Sequence, residues 1–292
     1  MDYPDTKACA LLRSTAVDAI AESVADSLRD GRDGGHDGSR HDGLAADMLQ
    51  ADGRPSIVID LARLHRMGIV TPDGGRTSAA EDFRIIKRPL LRSAREATAA
   101  GAANGNLIVV TSALPGEGKT WCAVNLAMSI AMEKDHRVLL VDADVARPSV
   151  LKLLGLAPAP GLMDILLSER RALADVMLRT NIANLSLLPA GRNNKHATEL
   201  LASQTMSLLL AGIASRYADR IVIFDSPPLL LTSEASVLAS QMGQVVMVVE
   251  SEATTQRDVK EALRRLENCP RVDLICNKTR AFPGGDYYGY YD

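Results

Sequence analysis

The chain contains no run approaching the roughly 18 to 20 apolar residues of a membrane span, and no basic-then-apolar opening segment of the secretory kind. A cytoplasmic location is the expectation. A basic excess is also missing. The formal net charge is -3, which argues against general nucleic-acid binding. Cysteine is scarce: Cys9, Cys122, Cys269 and Cys276 form no C-x-x-C pair and no zinc spacing. Reduced structural thiols are expected, and a cluster-bearing iron–sulfur ATPase lacks its ligands. Tyrosine is scarce as well, yet four of the six tyrosines fall in the last six residues.

What is present suits a folded protein with a sizeable core. Apolar residues make up 47% of 292 residues, enough for one large core or one core with an appendage. Residues 8 to 29 read as one amphipathic helix. Residues 30 to 43 are rich in Asp and Gly and read as a flexible linker; His36 and His41 lie within it as solvated residues. Residues 56 to 70 are apolar enough to dock, and Thr71-Pro-Asp-Gly-Gly75 reads as a turn. Ser78-Ala-Ala-Glu81 has the form of a capping box, opening a helix that Pro89 should end or kink.

Beyond this point helices and strands alternate. Strands are expected at Asn106 to Ser112, Arg137 to Asp142, Leu185 to Leu188, Arg220 to Asp225, Gln244 to Val249 and Val272 to Cys276. The clearest helices are Thr198 to Tyr217 and Thr255 to Glu267. Such alternation implies a mostly parallel sheet with helices on both faces, a three-layer α/β P-loop NTPase fold, whose ligands sit beyond the carboxyl ends of the strands. The expected division is a 1–55 extension, a 56–77 docking segment, a 78–282 P-loop domain and a 283–292 tail.

Ala113-Leu-Pro-Gly-Glu-Gly-Lys-Thr120 fits the phosphate-loop pattern between a strand and a helix. Its glycines let backbone N–H groups turn inward around phosphate oxygens, and the helix start adds a positive dipole end. Pro115, Gly116, Glu117, Gly118, Lys119, Thr120 and Trp121 are the candidate nucleotide-binding residues. Lys119 should reach the β- and γ-phosphates, and Thr120 should ligate Mg²⁺. Two further strands end in carboxylates, at Asp142 with Asp144 and at Asp225. Three acids at strand ends, beside a phosphate loop, point to a magnesium site rather than to helix caps alone. The run Asn277-Lys-Thr-Arg280 lacks the carboxylate that reads guanine, so ATP is expected over GTP. Asn277 either contacts adenine or is a turn residue.

The tail offers Tyr287, Tyr288, Tyr290 and Tyr291 on a glycine-rich segment. Either it packs on a neighbouring surface, or it supplies phospho-acceptors. The acceptor reading fits the loop, because a strand-end aspartate could take the phenolic proton, whose pKa is near ~10.

Taken together, Ser112 to Thr120, Val141-Asp-Ala-Asp-Val-Ala-Arg-Pro148, Phe224-Asp-Ser-Pro-Pro228 and the tail resemble the bacterial tyrosine autokinases of exopolysaccharide synthesis. The match is closest to the exosortase-associated branch and runs from about Ser56 onward. The resemblance implies that Lys119, Asp142 and Asp144 are catalytic, with Asp142 as the base for the acceptor. It implies that Thr120, Asp144 and Asp225 serve the metal, and that Arg147 stands at the family's basic position. It implies an oligomer motif at Glu81, Arg84 and Lys87. Homo-oligomers, a phosphotyrosine phosphatase and a separate membrane-anchored polysaccharide co-polymerase that recruits the enzyme to the inner membrane face follow from the same likeness. The competing readings are a positioning ATPase, whose second loop lysine is replaced here by Leu114, and a silent ATP-binding scaffold.

Overall fold

A computed structural model describes residues 10–13, 56–168 and 171–279. The N-terminal segment 14–55, the histidines within it and the tyrosine tail lie outside the described residues. One nine-stranded sheet organises the described chain. In chain order its strands are β1 (Ala10–Arg13), β2 (Ser56–Ile57), β3 (Leu107–Ser112), β4 (Arg137–Asp142), β5 (Leu178–Thr180), β6 (Leu185–Leu188), β7 (Arg220–Asp225), β8 (Gln244–Glu250) and β9 (Val272–Asn277). Their spatial order is β1-β9-β8-β3-β7-β4-β6-β5-β2. The six strands β9-β8-β3-β7-β4-β6 run parallel to one another, and β1 and β5 attach antiparallel.

Parallel strands buried on both faces read as unbroken apolar runs, and successive side chains point to opposite sides. The core divides accordingly. Ile108, Val110, Val138, Leu140, Ile221 and Ile223 join one cluster. Their chain neighbours Leu107, Val109, Leu139, Val141, Val222 and Phe224 join the other. The first face is covered by α2 (Ser78–Ala99) and α3 (Lys119–Ala131), following the short α1 (Leu61–Arg66). The second is covered by α5 (Leu162–Leu166), α6 (Leu173–Val176), α7 (Ala197–Leu201), α8 (Gln204–Arg216), α9 (Glu234–Ser240) and α10 (Gln256–Arg264). The brief α4 (Val150–Leu154) follows β4.

The segment before α2 is built into this core. Ile59 and Leu64 are almost wholly buried in the first cluster, and burying such a side chain stabilises by about 1.5–3 kcal/mol. The turn at Thr71 forms as expected, with the Gly74 N–H donating to the Thr71 carbonyl at 3.0 Å.

Several expectations are corrected. Residues 8 to 29 do not make one helix, because Ala10–Arg13 lies along β9 as a strand. The open edge of a sheet offers unpaired N–H and C=O groups, and pairing there overrides local helical pattern. Of the two outcomes expected at Pro89, an end to the helix is excluded, because α2 continues to Ala99. Its missing N–H frees only the Ile85 carbonyl, and Ile85 is on the exposed side of the helix. The capping residue of α2 is Thr77, whose side chain accepts from the Ala80 N–H at 3.1 Å. Glu81 therefore completes no capping box and pairs with Arg84 instead. The expected helix from Thr198 to Tyr217 is broken in two, because the Ser203 hydroxyl caps a new start by accepting from the Met206 N–H at 3.2 Å. A serine cap competes well with helix continuation.

Candidate functional site

β3 lies between β7 and β8 in the sheet, so the loop that follows it has two distinct flanks. Gly116 and Gly118 take φ of 90° and 92°, a left-handed region that disfavours any side chain with a Cβ. At Gly118 the constraint is doubled, since a Cβ there would lie 2.2 Å from the Asn277 Nδ2. Gly118 is the N-cap of α3 and no side chain caps that end. The first N–H groups of α3 are thus left for an anion.

On the flank toward β7 and β4 the charged groups converge. Asp142 and Asp225 are register partners at the ends of these strands. The Lys119 Nζ lies 2.9 Å from Asp144 Oδ2 and 3.7 Å from Asp225 Oδ1. The Thr120 hydroxyl donates to Asp225 Oδ2 at 2.6 Å and lies 2.8 Å from the Ser149 hydroxyl. Asp142 Oδ2 accepts from the N–H groups of Ser149 and Val150, both at 3.0 Å. Helix capping by Asp142, the blander alternative for a strand-end acid, therefore occupies one of its oxygens. The other, Asp142 Oδ1, is buried without a hydrogen-bond partner, and so is Asp225 Oδ1.

The electrostatics follow from this crowding. Burial first, then the neighbouring Asp225 charge, push the Asp142 carboxyl up to about 7. Burial likewise raises Asp225 to about 6, against the pull of Lys119 and the Thr120 hydrogen bond. Burial works against the charge on Lys119, but Asp225, Asp144 and Asp142 outweigh it and its pKa stands above the ordinary lysine value. An oxygen-rich pocket with an unpartnered carboxylate oxygen and a hydroxyl suits a hard divalent cation. Among the described residues no group of three or more His, Cys, Asp or Glu side chains could hold a metal ion. A Mg²⁺ ion would thus lean on few protein oxygens, as that ion commonly does in phosphate sites.

The flank toward β8 and β9 is of another kind. The Glu117 side chain is buried and turns away from the loop's mouth. Its Oε2 accepts from the Leu114 N–H at 2.6 Å, and its Oε1 accepts from the Thr254 hydroxyl. The Asn277 Nδ2 donates to the Glu117 carbonyl at 2.8 Å. The Lys278 Nζ donates to the Gly116 carbonyl at 2.8 Å and pairs with Glu250 at 2.8 Å.

This arrangement places the side chains of three candidate nucleotide-binding residues. The Glu117 carboxylate is committed to the protein and leaves only its backbone for a ligand. Asn277 is the last residue of β9 and braces the loop, so it is not a simple turn residue. The Trp121 ring packs in the core with its centroid 5.6 Å from that of Phe83. Pro115 and Gly116 remain exposed at the loop's tip. On α2, Glu81 and Arg84 form a half-exposed pair. Lys87 does not share their surface: it is buried, donating to the Ser129 carbonyl at 2.7 Å and pairing with Glu133 at 2.6 Å. Its aliphatic stem fits the packed face of the helix, and these two partners satisfy the ammonium there. Ser149, Thr254 and Lys278 were not singled out from sequence. Ser149 had a signal, since it follows the Asp142 to Pro148 block directly, and so had Lys278, which lies in the Asn277-Lys-Thr-Arg280 run.

A parallel sheet, a glycine-built loop and an uncapped helix start define a P-loop nucleotide-binding protein. Comparison with known proteins narrows the class. A family profile described as an AAA domain matches residues 105–273. Tyrosine-protein kinase YwqD of Bacillus subtilis is 32% identical over 186 residues, covering 63% of this chain and 76% of that protein. Tyrosine-protein kinase wzc of Salmonella typhimurium is 34% identical over 193 residues, covering 65% of this chain but 26% of that protein. The chain thus spans about a quarter of the length of the first curated relatives that it matches. The solved kinase domain of the Escherichia coli tyrosine kinase ETK superposes with a TM-score of 0.59 at 27% identity, covering 68% of this chain and 75% of that one. The chain belongs to the bacterial tyrosine-protein kinase family, on an AAA-type domain.

Proposed function

We propose that the protein is a Mg²⁺- and ATP-dependent tyrosine autokinase that phosphorylates Tyr287, Tyr288, Tyr290 and Tyr291 of its own tail. The observation that carries this reading is the convergence of Lys119, Thr120, Asp142, Asp144 and Asp225 at the open start of α3. The N–H groups of Gly116 to Thr120 and the Lys119 ammonium grip the triphosphate. Thr120, Asp144 and Asp225 would hold the metal, and Asp225 Oδ1 is a buried carboxylate oxygen with no hydrogen-bond partner. Bound Mg²⁺ supplies charge neutralisation on the transferring phosphoryl group. Asp142 Oδ1 takes the phenolic proton as the tyrosine oxygen bonds to the γ-phosphorus and ADP departs. Its elevated pKa, at about 7, brings it close to working pH, where a general base is most effective. Positioning and fixed charges account for most of the acceleration.

Each phosphotyrosine adds about -1.5 to -2 charges. Phosphorylation of several would loosen a homo-oligomer in which one copy's tail enters another's site. Glu81 and Arg84 are the interface residues that remain accessible for such contacts. Cycling between the two forms, reset by a phosphotyrosine phosphatase, would time exopolysaccharide polymerisation and export. Among the described residues no helix is long and apolar enough to cross a membrane. A separate membrane-anchored co-polymerase is the proposed activator, recruiting the kinase to the inner face of the membrane. The proposed division is residues 1–55 as an extension, 56–77 as a docking segment, 78–282 as the kinase domain and 283–292 as the acceptor tail. Phosphopeptide mapping after incubation with Mg·ATP tests the reading. Phosphate on the tail tyrosines is expected, and a tail that stays unmodified would refute it.

A further inference from the structure

We infer that Glu117 and Thr254 form a latch that holds the phosphate loop in its binding shape from behind, with Lys278 as a second strap. Both act as positioning residues, and neither side chain touches the nucleotide. The inference rests on the loop's being the nucleotide site, as proposed above.

The latch joins residues far apart in the chain. Thr254 stands 137 residues from Glu117, in the turn that follows β8. Its hydroxyl oxygen accepts from the Glu250 N–H at 3.1 Å, so its single proton is free to donate to Glu117 Oε1. Glu117 Oε2 simultaneously accepts from the Leu114 N–H at 2.6 Å. The Glu117 side chain therefore faces two donors at once. A carboxylate has two accepting oxygens and meets both. A glutamine has one oxygen and an NH₂ group, so one donor would face another donor. No Lys, Arg or His lies within salt-bridge range of Glu117 among the described residues, although the residue is only 2% exposed. Its charge is instead satisfied by the N–H and O–H donors that fix the loop, and such charge-assisted bonds are the stronger kind.

The geometry explains why the loop needs a support. Gly116 and Gly118 lie in the left-handed region and impose no preference of their own, since glycine visits many conformations freely. The inward turn of the N–H groups must be held by something else. The Glu117 side chain pins the residue between the two glycines. Asn277 fixes the same residue's carbonyl, and Lys278 fixes the carbonyl of Gly116. Preorganisation of this kind lowers the ordering cost on binding.

Thr254→Val, Thr254→Ser, Glu117→Gln and Lys278→Ala in the full chain test the latch. Affinity for a fluorescent ADP analogue is measured with Mg²⁺, and amide hydrogen exchange of residues 113–120 is measured without nucleotide. Thr254→Val and Glu117→Gln are expected to weaken binding by about tenfold, the size of one lost charge-assisted hydrogen bond, and to speed exchange in the loop. Thr254→Ser keeps the hydroxyl and should bind as the wild type does. Lys278→Ala alters an exposed side chain, so folding is secure, and should weaken binding by about threefold. For phosphotransfer the latch variants should raise KM for ATP with kcat nearly held, the signature of lost ground-state grip. A variant that merely misfolds a fraction of the molecules would lower kcat at constant KM and would overturn the assignment. So would equal affinity in all four variants, or failure of Thr254→Ser to restore binding. A wild type that binds no nucleotide would instead sink the kinase reading, and the two failures are distinguishable.

Discussion

On one side of the phosphate loop the acids of β4 and β7 crowd a single lysine, and two of their buried oxygens have no hydrogen-bond partner. On the other side, toward β8 and β9, Glu117, Asn277 and Lys278 all reach partners within the protein. The first flank keeps open valences where a ligand is to bind. The second satisfies its polar groups and serves as a mount. A binding site needs both, since a loop held only by its ligand would pay its ordering cost at every encounter.

The largest expected loss of affinity comes from removing the Lys119 ammonium from the reactive flank. Lys119→Met should weaken nucleotide binding by about a hundredfold, because charge-assisted contacts to phosphate are lost and three acids are left unopposed. Titration by calorimetry measures it, and near-normal affinity would break the contrast between the flanks. The largest expected loss of rate comes from Asp142→Asn, which should lower kcat by about 10²–10⁴-fold as a lost general base. The same change should raise the melting temperature of the nucleotide-free protein, because a buried charge beside Asp225 is removed. A drop in both activity and stability would mean that Asp142 is chiefly a helix cap.

Smaller still is the pH dependence of the nucleotide-free protein. The folded-state pKa values of Asp142 and Asp225 are about 7 and about 6, above their unfolded value. The folded state then holds protons that the unfolded chain has released, so stability falls as pH rises from about 4 to about 7 and levels off above that. Thermal melts across this window should decline, and Mg²⁺ with nucleotide should flatten the decline. The smallest effect is expected at Arg84→Ala. Its half-exposed pair with Glu81 contributes about 0.2–1 kcal/mol, so melting should barely move. Self-association, read by sedimentation, should nonetheless fall if this helix face is an interface.

The two flanks were unequally legible in the sequence. The reactive one was readable because its parts are local: an apolar strand that ends in an aspartate, and glycines at fixed spacing before Lys119. The six central parallel strands were found for the same reason, being short, mostly apolar runs. The mount was not readable. Glu117 fills a variable position of the loop motif, and nothing in one dimension says that its side chain turns inward toward a threonine 137 residues away. β2 and β5 were missed because two or three residues are too short for any period to register. The strand at Ala10–Arg13 was misread because its partner, β9, lies at the far end of the chain. Lys87 was misplaced because a charged residue on a helix is read as exposed until its buried acceptors are known.

The crowding of Asp142, Asp144 and Asp225 around one ammonium has a consequence for which form of nucleotide can enter. A bare triphosphate carries its full negative charge toward a cavity already rich in acids and meets repulsion. A triphosphate that arrives with its divalent ion would bring the missing positive charge with it, and would expel the protons that Asp142 and Asp225 retain. In the proposed function the cavity would thereby sort nucleotides by their counter-ion before any question of base recognition arises.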